Sequence, residues 1–260
     1  MDDRPVTPGV IVMDKPEGAG SAGMCRLVKG RLRAGGAPKK VKVGHGGTLD
    51  PLATGVVVVL VGKATKMSDA VMAGDKRYLA GVDLSAFTPS FDRETEREPV
   101  DVPTAPTIEA VRAAATEFVG NIEQVPPAYS ALWIDGKRAY KLARAGDAPE
   151  MKSRPATVHA IEVLAYNWPM VTLDIRCGKG VYIRSIARDL GVTLGTGGTL
   201  MWLRRTQVGR WMIRDAVSAD ALPKILDPWT AYDAPGNVLR AVPDETCEAG
   251  DADETAGPAS

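Results

Sequence analysis

Residues Val56 to Val61 read VVVVLV, six consecutive aliphatic positions of which five are β-branched. Such side chains suit a pleated strand better than a helical turn, so the run predicts a buried strand over Val56–Gly62. It is far too short to cross a bilayer as a helix, which takes roughly 20 apolar residues. A strand this apolar must be covered, and the rest of the chain supplies the cover. Gly9–Met13 predicts another short strand, and Ser21–Leu32 a helix with Ser21 as its N-cap. Thr65–Ala73 is expected to form a short helix and Arg77–Leu84 a strand, with the acidic Ser85–Pro103 stretch an exposed connection. Ile108–Val119 is an amphipathic helix between Thr107 and Gly120. Tyr129–Ile134 is expected as a strand, Asp135-Gly136 as a tight turn and Arg138–Ala145 as a helix. Val158–Ala165 and Val171–Cys177 should pair as strands. Val181–Leu190 should be a helix closed by Gly191, and Leu200–Gln207 a returning strand. Ser218–Leu226 has room for one last helical turn, limited by Pro223. Strands and helices do not alternate regularly enough for a doubly wound sheet. The expectation is α+β: a mixed, mostly antiparallel central sheet flanked by helices.

The 260 residues, 45% hydrophobic and 25% charged, are those of an ordinary folded protein, which excludes a mainly disordered, collagenous or membrane-spanning chain. Cys25, Cys177 and Cys247 are odd in number and far apart, against a disulfide framework or a CxxC metal site. No basic-then-apolar leader stands near Met1, and we expect a reducing, cytoplasmic setting. The formal net charge is zero, but it is segregated. Tyr232–Ser260 holds seven acidic residues and one basic; the other 231 residues carry 31 basic against 25 acidic. This pattern fits a basic face with an acidic back and tail, and fits ordinary solvated helices equally well.

Gly44 to Gly55, GHGGTLDPLATG, is the most unusual segment. Four glycines and a proline surround one His and one Asp just before the buried strand. Glycine lets backbone approach a ligand closely, and an Asp before Pro is held extended, as suits a carboxylate at the mouth of a cleft. An Asp-Pro turn with a capping His accounts for the loop as well. A phosphate-binding P-loop is excluded, because Gly62-Lys63 is followed by Ala64 and lacks the upstream glycine. A zinc deaminase needs His-x-Glu and Pro-Cys-x-x-Cys, both missing, and only His45 and His159 are available as histidine ligands. There is no G-x-S-x-G elbow.

The loop resembles the central motif of the TruB family, stand-alone synthases that make pseudouridine in the T-loop of tRNA. Further elements follow in order. Asp14-Lys15-Pro16-Glu17-Gly18 is similar to the family's DKPxG element, and Lys76-Arg77-Tyr78 to its KxY element. Gln124 through Gly146 is similar to an insertion that grips the T-arm. Cys177 through Arg184, CGKGVYIR, resembles CxKGTYIR, and Leu203-Arg204-Arg205 resembles LRR. The matches run from about residue 9 to 214.

The resemblance implies a pseudouridine-synthase fold over residues 1–233; from Ala234 on the chain has almost no apolar run, so 234–260 is expected to be an acidic, disordered tail. It implies that Asp50 is the catalytic carboxylate beside the sugar, as nucleophile or as stabiliser of positive charge, with Arg184 as its partner. A buried carboxylate is otherwise pushed toward its neutral form, which a guanidinium opposes. Tyr78 would stack on the flipped base and serve in proton transfer, Tyr182 and Leu203 would line the pocket, and His45 would contact the flipped nucleotide. Lys15, Lys66, Lys179, Arg204 and Arg205 would be RNA-phosphate or scaffold contacts. No cofactor or metal is implied, because the isomerisation is redox-neutral. The partner would be tRNA through its T-arm, with a monomer needing no protein partner and no membrane.

The chain departs from the family pattern in three places. Where members carry GxxTDTxDxxG, Ser85 to Thr95 keeps Thr88 and Asp92 but loses both glycines and the first Asp, which bears on the loop's shape and its tRNA contacts. His45-Gly46-Gly47 replaces the commoner bacterial HTG. After Asp227-Pro228 an acidic tail stands where many members have a PUA domain, so weaker tRNA affinity with intact chemistry is expected. Three other readings compete: a tRNA chaperone without catalysis, a guide-RNA-directed enzyme, and an unrelated hydrolase using Asp50. Retention of Asp50, Tyr78 and Arg184 together speaks against the chaperone, since a pure binder gains nothing from a carboxylate beside an anionic ligand.

Overall fold

The computed structural model describes residues 5–134 and 136–229. The chain opens with β1 (Gly9–Lys15), α1 (Ser21–Ala34), β2 (Val43–His45) and β3 (Thr54–Val61). A 3-10 turn, Gly62–Met67, leads into α2 (Ser68–Ala73), then β4 (Lys76–Asp83), β5 (Ala86–Phe87) and β6 (Glu98–Pro99). There follow α3 (Ile108–Thr116), β7 (Gly120–Gln124), β8 (Trp133–Ile134), β9 (Lys137–Arg138) and α4 (Ala139–Arg144). The last third holds β10 (Arg154–Asn167), β11 (Met170–Cys177), α5 (Ile183–Leu194), β12 (Thr199–Val208), β13 (Trp211–Met212) and β14 (Val217–Ser218).

Ten of these strands form one sheet, in the order β14-β1-β3-β12-β4-β11-β10-β7, with β2 paired to β3 and β13 to β12. Pairing is antiparallel except between β1 and β14 and between β3 and β12. The expected α+β class holds. Val56–Val61 are all 0% exposed, because both faces of β3 are covered. Val57, Val59 and Val61 pack with Met24, Val28 and Leu32 of α1 in a core that also takes Val111 of α3 and Ile186 of α5. Val56, Val58 and Leu60 point the other way, onto Val10, Val71 and Trp211. Each fully buried Val or Leu is worth about 1.5–3 kcal/mol against exposure, so this strand anchors both layers.

Several local expectations are corrected. Gly20, not Ser21, is the N-cap of α1. The Ser21 hydroxyl is turned away to the Gly-rich loop, where it accepts from the Leu49 amide at 2.9 Å and donates to the Leu49 carbonyl. The fifth helix starts and ends later than expected and is closed by Gly195 at φ +66, not by Gly191. Gly191 lies inside it because Gly197 crosses so close that a Cβ would fall 2.1 Å from the Gly197 carbonyl oxygen. Only Trp133–Ile134 of the expected Tyr129–Ile134 strand pairs, with Lys137–Arg138. The expected last turn is a single one over Ser218–Leu222, in which the Leu222 amide donates to the Ser218 carbonyl at 3.1 Å and the Ser218 hydroxyl accepts from the Ala221 amide. The Asp135 half of the expected tight turn, and everything from residue 230, lie outside the described residues.

The Ser85–Pro103 stretch is not simply exposed. Thr88, Ser90 and Asp92 are at most 2% exposed. The Leu200 amide bonds to Phe91, and Asp92 bridges to Leu200, so the segment is tied against the start of β12. Among the described residues no helix is long and apolar enough to cross a membrane.

Candidate active site

Asp50 sits in the Gly-rich loop between β2 and β3, and the loop is fastened on both sides of it. Buried Arg205 on β12 donates to the carbonyls of Thr48 (3.0 Å), Gly47 (3.2 Å) and Val56 (2.8 Å). Ser21 holds Leu49 at both its amide and its carbonyl. The Pro51 carbonyl accepts from the Gly18 amide (2.8 Å) and the Lys15 ammonium (3.2 Å). The backbone that carries the carboxylate is thus pre-positioned on both sides. Gly55 makes the approach possible, because its φ is +105 and a Cβ there would lie 2.2 Å from the Arg205 carbonyl oxygen.

Asp50 Oδ2 is 2.8 Å from Arg184 Nη2. Arg184 stands in the first turn of α5, where the guanidinium is almost wholly buried. Its Nη1 donates to the Tyr129 carbonyl at 3.0 Å and lies 3.3 Å from Asp92 Oδ2. Asp92 in turn accepts at Oδ1 from the Ser90 hydroxyl (2.7 Å) and the Glu94 amide (2.9 Å). Burial pushes the Asp92 carboxyl above the ordinary carboxylate value, with the Arg184 charge as the main opposing influence. One arginine thus bridges an inner and an outer carboxylate.

The Asp50 side chain, about a third exposed, opens on a cleft of about 660 Å³. Tyr78 of β4 and Leu203 of β12 form its floor, both nearly buried, and Tyr182 lines a wall. Burial pushes the Tyr78 hydroxyl up, the Arg205 charge opposing, so it keeps its proton at neutral pH. The Tyr182 backbone is clamped by buried Gln124, which accepts its N–H at 2.8 Å and donates to its carbonyl. The Arg154 guanidinium lies 4.9 Å over the Tyr182 ring and donates to Gly180, completing that wall.

The structure therefore brings Asp50, Tyr78, Tyr182, Arg184, Leu203, Lys179 and Arg205 to one cleft. His45 is not in the lining; it lies on β2, its hydroxyl partner Ser68 bonds to its carbonyl, and burial lowers its ring below the usual range. Lys66 is exposed on the 3-10 turn, also off the cleft. Lys15 and Arg205, expected at RNA phosphates or in the scaffold, are 0% and 2% exposed and spend their donors on carbonyls of this chain. Arg204 pairs with Asp14 at 2.8 Å. Sequence reasoning missed the roles of Asp92, Gln124 and Arg154. Asp92 carried a signal, since it survived in a segment that had lost its glycines, but the surrounding acidic residues masked it as surface.

Residues 36–183 match the family model of the TruB family pseudouridylate synthase N-terminal domain. The chain belongs to the TruB family. It is 42% identical over 218 residues to the tRNA pseudouridine synthase B of Phocaeicola vulgatus, across 84% of this chain and 93% of that relative. To the Ralstonia pickettii protein of the same name it is 43% identical over 241 residues, 90% of this chain and 71% of that one. Among solved structures it is similar to a chain from a crystal structure of a Cbf5–Nop10–Gar1 complex, with a TM-score of 0.61 and 31% identity. That similarity covers 81% of this chain and about half (52%) of that one. The pseudouridine-synthase fold expected from the motifs is thereby established, and the loop that carries Asp50 lies within the matched residues.

Lys15 gives the site a pH dependence. Burial lowers its ammonium to about 8 from 10.5, with the Asp50 charge opposing. A lysine lowered in the folded state binds its proton more weakly there than when unfolded. Stability therefore rises with pH between about 8 and 10.5, as the cost of the buried charge is relieved. The neutral amine has only two N–H groups for the carbonyls of Pro16, Ala19 and Pro51. Urea titrations at pH 8, 9 and 10 should show a steeper rise for the native chain than for Lys15→Met; parallel slopes would contradict the assignment.

Proposed function

We propose that this tRNA pseudouridine synthase acts on the T-arm: it flips a T-loop uridine into the cleft and isomerises it with Asp50 as the catalytic carboxylate. The carrying observation is the Asp50–Arg184 pair, fixed at the mouth of a cleft floored by Tyr78 and Leu203. In this reading Asp50 faces C1′ of the ribose. The N1–C1′ bond breaks while the carboxylate takes up or stabilises the positive charge at C1′. The uracil turns and C5 bonds to C1′. The proton on C5 then leaves to solvent, and N1 gains one in return. Nothing is oxidised or reduced. Tyr78 supplies the stacking surface and a protonated hydroxyl, Tyr182 closes the wall, and extrusion of the base costs a few kcal/mol.

The exposed hairpin β8–β9, where Arg138 stacks 4.3 Å over Trp133, is the part of the Gln124–Gly146 segment that supports T-arm contact. The same segment supports action as a single chain without a guide RNA. The test is tritium release from an unmodified tRNA transcript labelled at uridine C5, with the purified chain alone, followed by mapping of the product. Release with pseudouridine in the T-loop is expected. Product elsewhere, or release only with a guide RNA or second protein added, would overturn it.

A further inference from the structure

Among the described residues a dense run of charge without carboxylate partners lies away from the cleft. Between Gly18 and Leu49 the chain carries seven cationic side chains and no acidic one. Arg26, Lys29, Arg31 and Arg33 stand on α1, whose other face packs into the core, and Lys39, Lys40 and Lys42 follow it. Among the described residues none of the seven is ion-paired with a carboxylate, whereas Arg77, Arg93, Arg97, Arg144, Arg188 and Arg204 all are. Seven like charges on about two helical turns and a short connection repel one another, and a polyanion relieves that.

The end of the described chain lies against the same element. The Leu226 amide donates to the Arg31 carbonyl at 3.1 Å. Gly35 packs so tightly on Leu226 that a Cβ would lie 2.1 Å from the Leu226 carbonyl oxygen, and a Cβ on Gly36 would sit 3.2 Å from the Trp229 ring. The chain thus continues past Trp229 from the basic end of α1. Residues 230–260 hold seven acidic residues and one basic, and six of the seven fall between Asp244 and Glu254. Even as a random coil, a tether of about 20 residues spans roughly 25 Å, and a 14-residue helix is about 21 Å long. Reach and charge both match.

We propose that the acidic segment Asp244–Glu254 docks on the basic outer face of α1 and residues 39–42, as a built-in competitor for polyanions. The opposite end of α1 touches the catalytic loop through Ser21 and Leu49, so an RNA backbone passing that end meets the same cations. Tethering supplies an effective concentration of order mM, enough to fill a weak electrostatic site but not to resist a long phosphate backbone. The segment then filters RNA, admitting substrates with further contacts in the cleft. This last consequence rests on the proposed function; the docking does not.

The test uses the full chain at low salt. Carbodiimide couples carboxylates to lysines in contact, and mass spectrometry maps the links. Links from residues 244–254 should concentrate on Lys29, Lys39, Lys40 and Lys42 and disperse in 0.5 M salt. A full-length variant with the six acids changed to Asn or Gln should elute from heparin at higher salt than the native chain, as should a chain ending at Trp229. It should also bind a tRNA transcript about three- to tenfold tighter at 50 mM salt, with kcat unchanged. Changing Lys39, Lys40 and Lys42 to Gln should remove the difference. Links spread evenly over Lys63, Lys141, Lys152 and Lys224, or unchanged heparin elution of the neutralised variant, would overturn the proposal. If links and heparin shift as expected but no RNA binds, the functional reading fails and the docking stands.

Discussion

Asp50→Asn is expected to lower pseudouridine formation by at least about 10⁴-fold, the scale seen when a central catalytic group is removed. RNA affinity and thermal stability should change little. The reason lies in how the loop is held. The loop's own ties run through the backbone of Asp50's neighbours, to Arg205, Ser21, Gly18 and Lys15, and the carboxylate adds only its contact with Arg184. Asn has the same shape, and Arg184 keeps Asp92 and the Tyr129 carbonyl. The loop should therefore keep its position while the reacting charge is lost. Single-turnover tritium release, run beside filter binding and thermal denaturation, separates the outcomes. Release from the Asn variant at the native rate would remove Asp50 from the chemistry.

Arg184→Met should be costly twice over. Asp92 is 1% exposed and its only cationic partner among the described residues is Arg184. Removing one member of a buried pair typically costs 3–5 kcal/mol, because the remaining charge is stranded, so a drop in Tm of roughly 10 °C is expected. Turnover should also collapse, since Asp50 loses the donor 2.8 Å away. Adding Asp92→Asn to Arg184→Met removes the stranded charge and should return much of the stability with none of the turnover. A double-mutant cycle in Tm measures the coupling. If the single variant is as stable as the native chain, the bridge is not structural. If the double variant recovers activity, Arg184 does not serve Asp50. Arg184→Lys should rescue neither property well, because one ammonium cannot span two carboxylates and the Tyr129 and Ser90 carbonyls as the guanidinium does.

Local pattern reached far into this fold. The VVVVLV run marks the buried strand β3, and Val158–Ala165 and Val171–Cys177 fall within the paired strands β10 and β11, because burial of consecutive side chains is written in consecutive letters. Helix ends were less legible. Ser21 has the chemistry of an N-cap, but a partner 28 residues away in the loop competes for its hydroxyl and wins. Gly191 looks like a stop signal, but its missing side chain serves the passage of Gly197 across the helix. The acidic stretch after β4 read as surface by composition, although its hydroxyl residues and Asp92 turn inward.

The sequence by itself determined the α+β class, the TruB motifs, and the identities of Asp50, Tyr78, Tyr182, Arg184 and Leu203 as members of one site. It did so through the ordered resemblance of several motifs to one family; taken singly, Tyr78 and Tyr182 read as core tyrosines and Arg184 as a surface arginine. Only the tertiary structure decided which cations stay open at the cleft and which hold the fold together. Lys15 and Arg205 share a charge with Lys179, yet the first two are sealed inside by carbonyls from three separate segments while Lys179 stays exposed at the cleft. The Asp50–Arg184–Asp92 bridge likewise joins a loop, a helix start and a connection more than 90 residues from that helix. Charge is a property of a residue, but what neutralises it depends on where the chain returns in space.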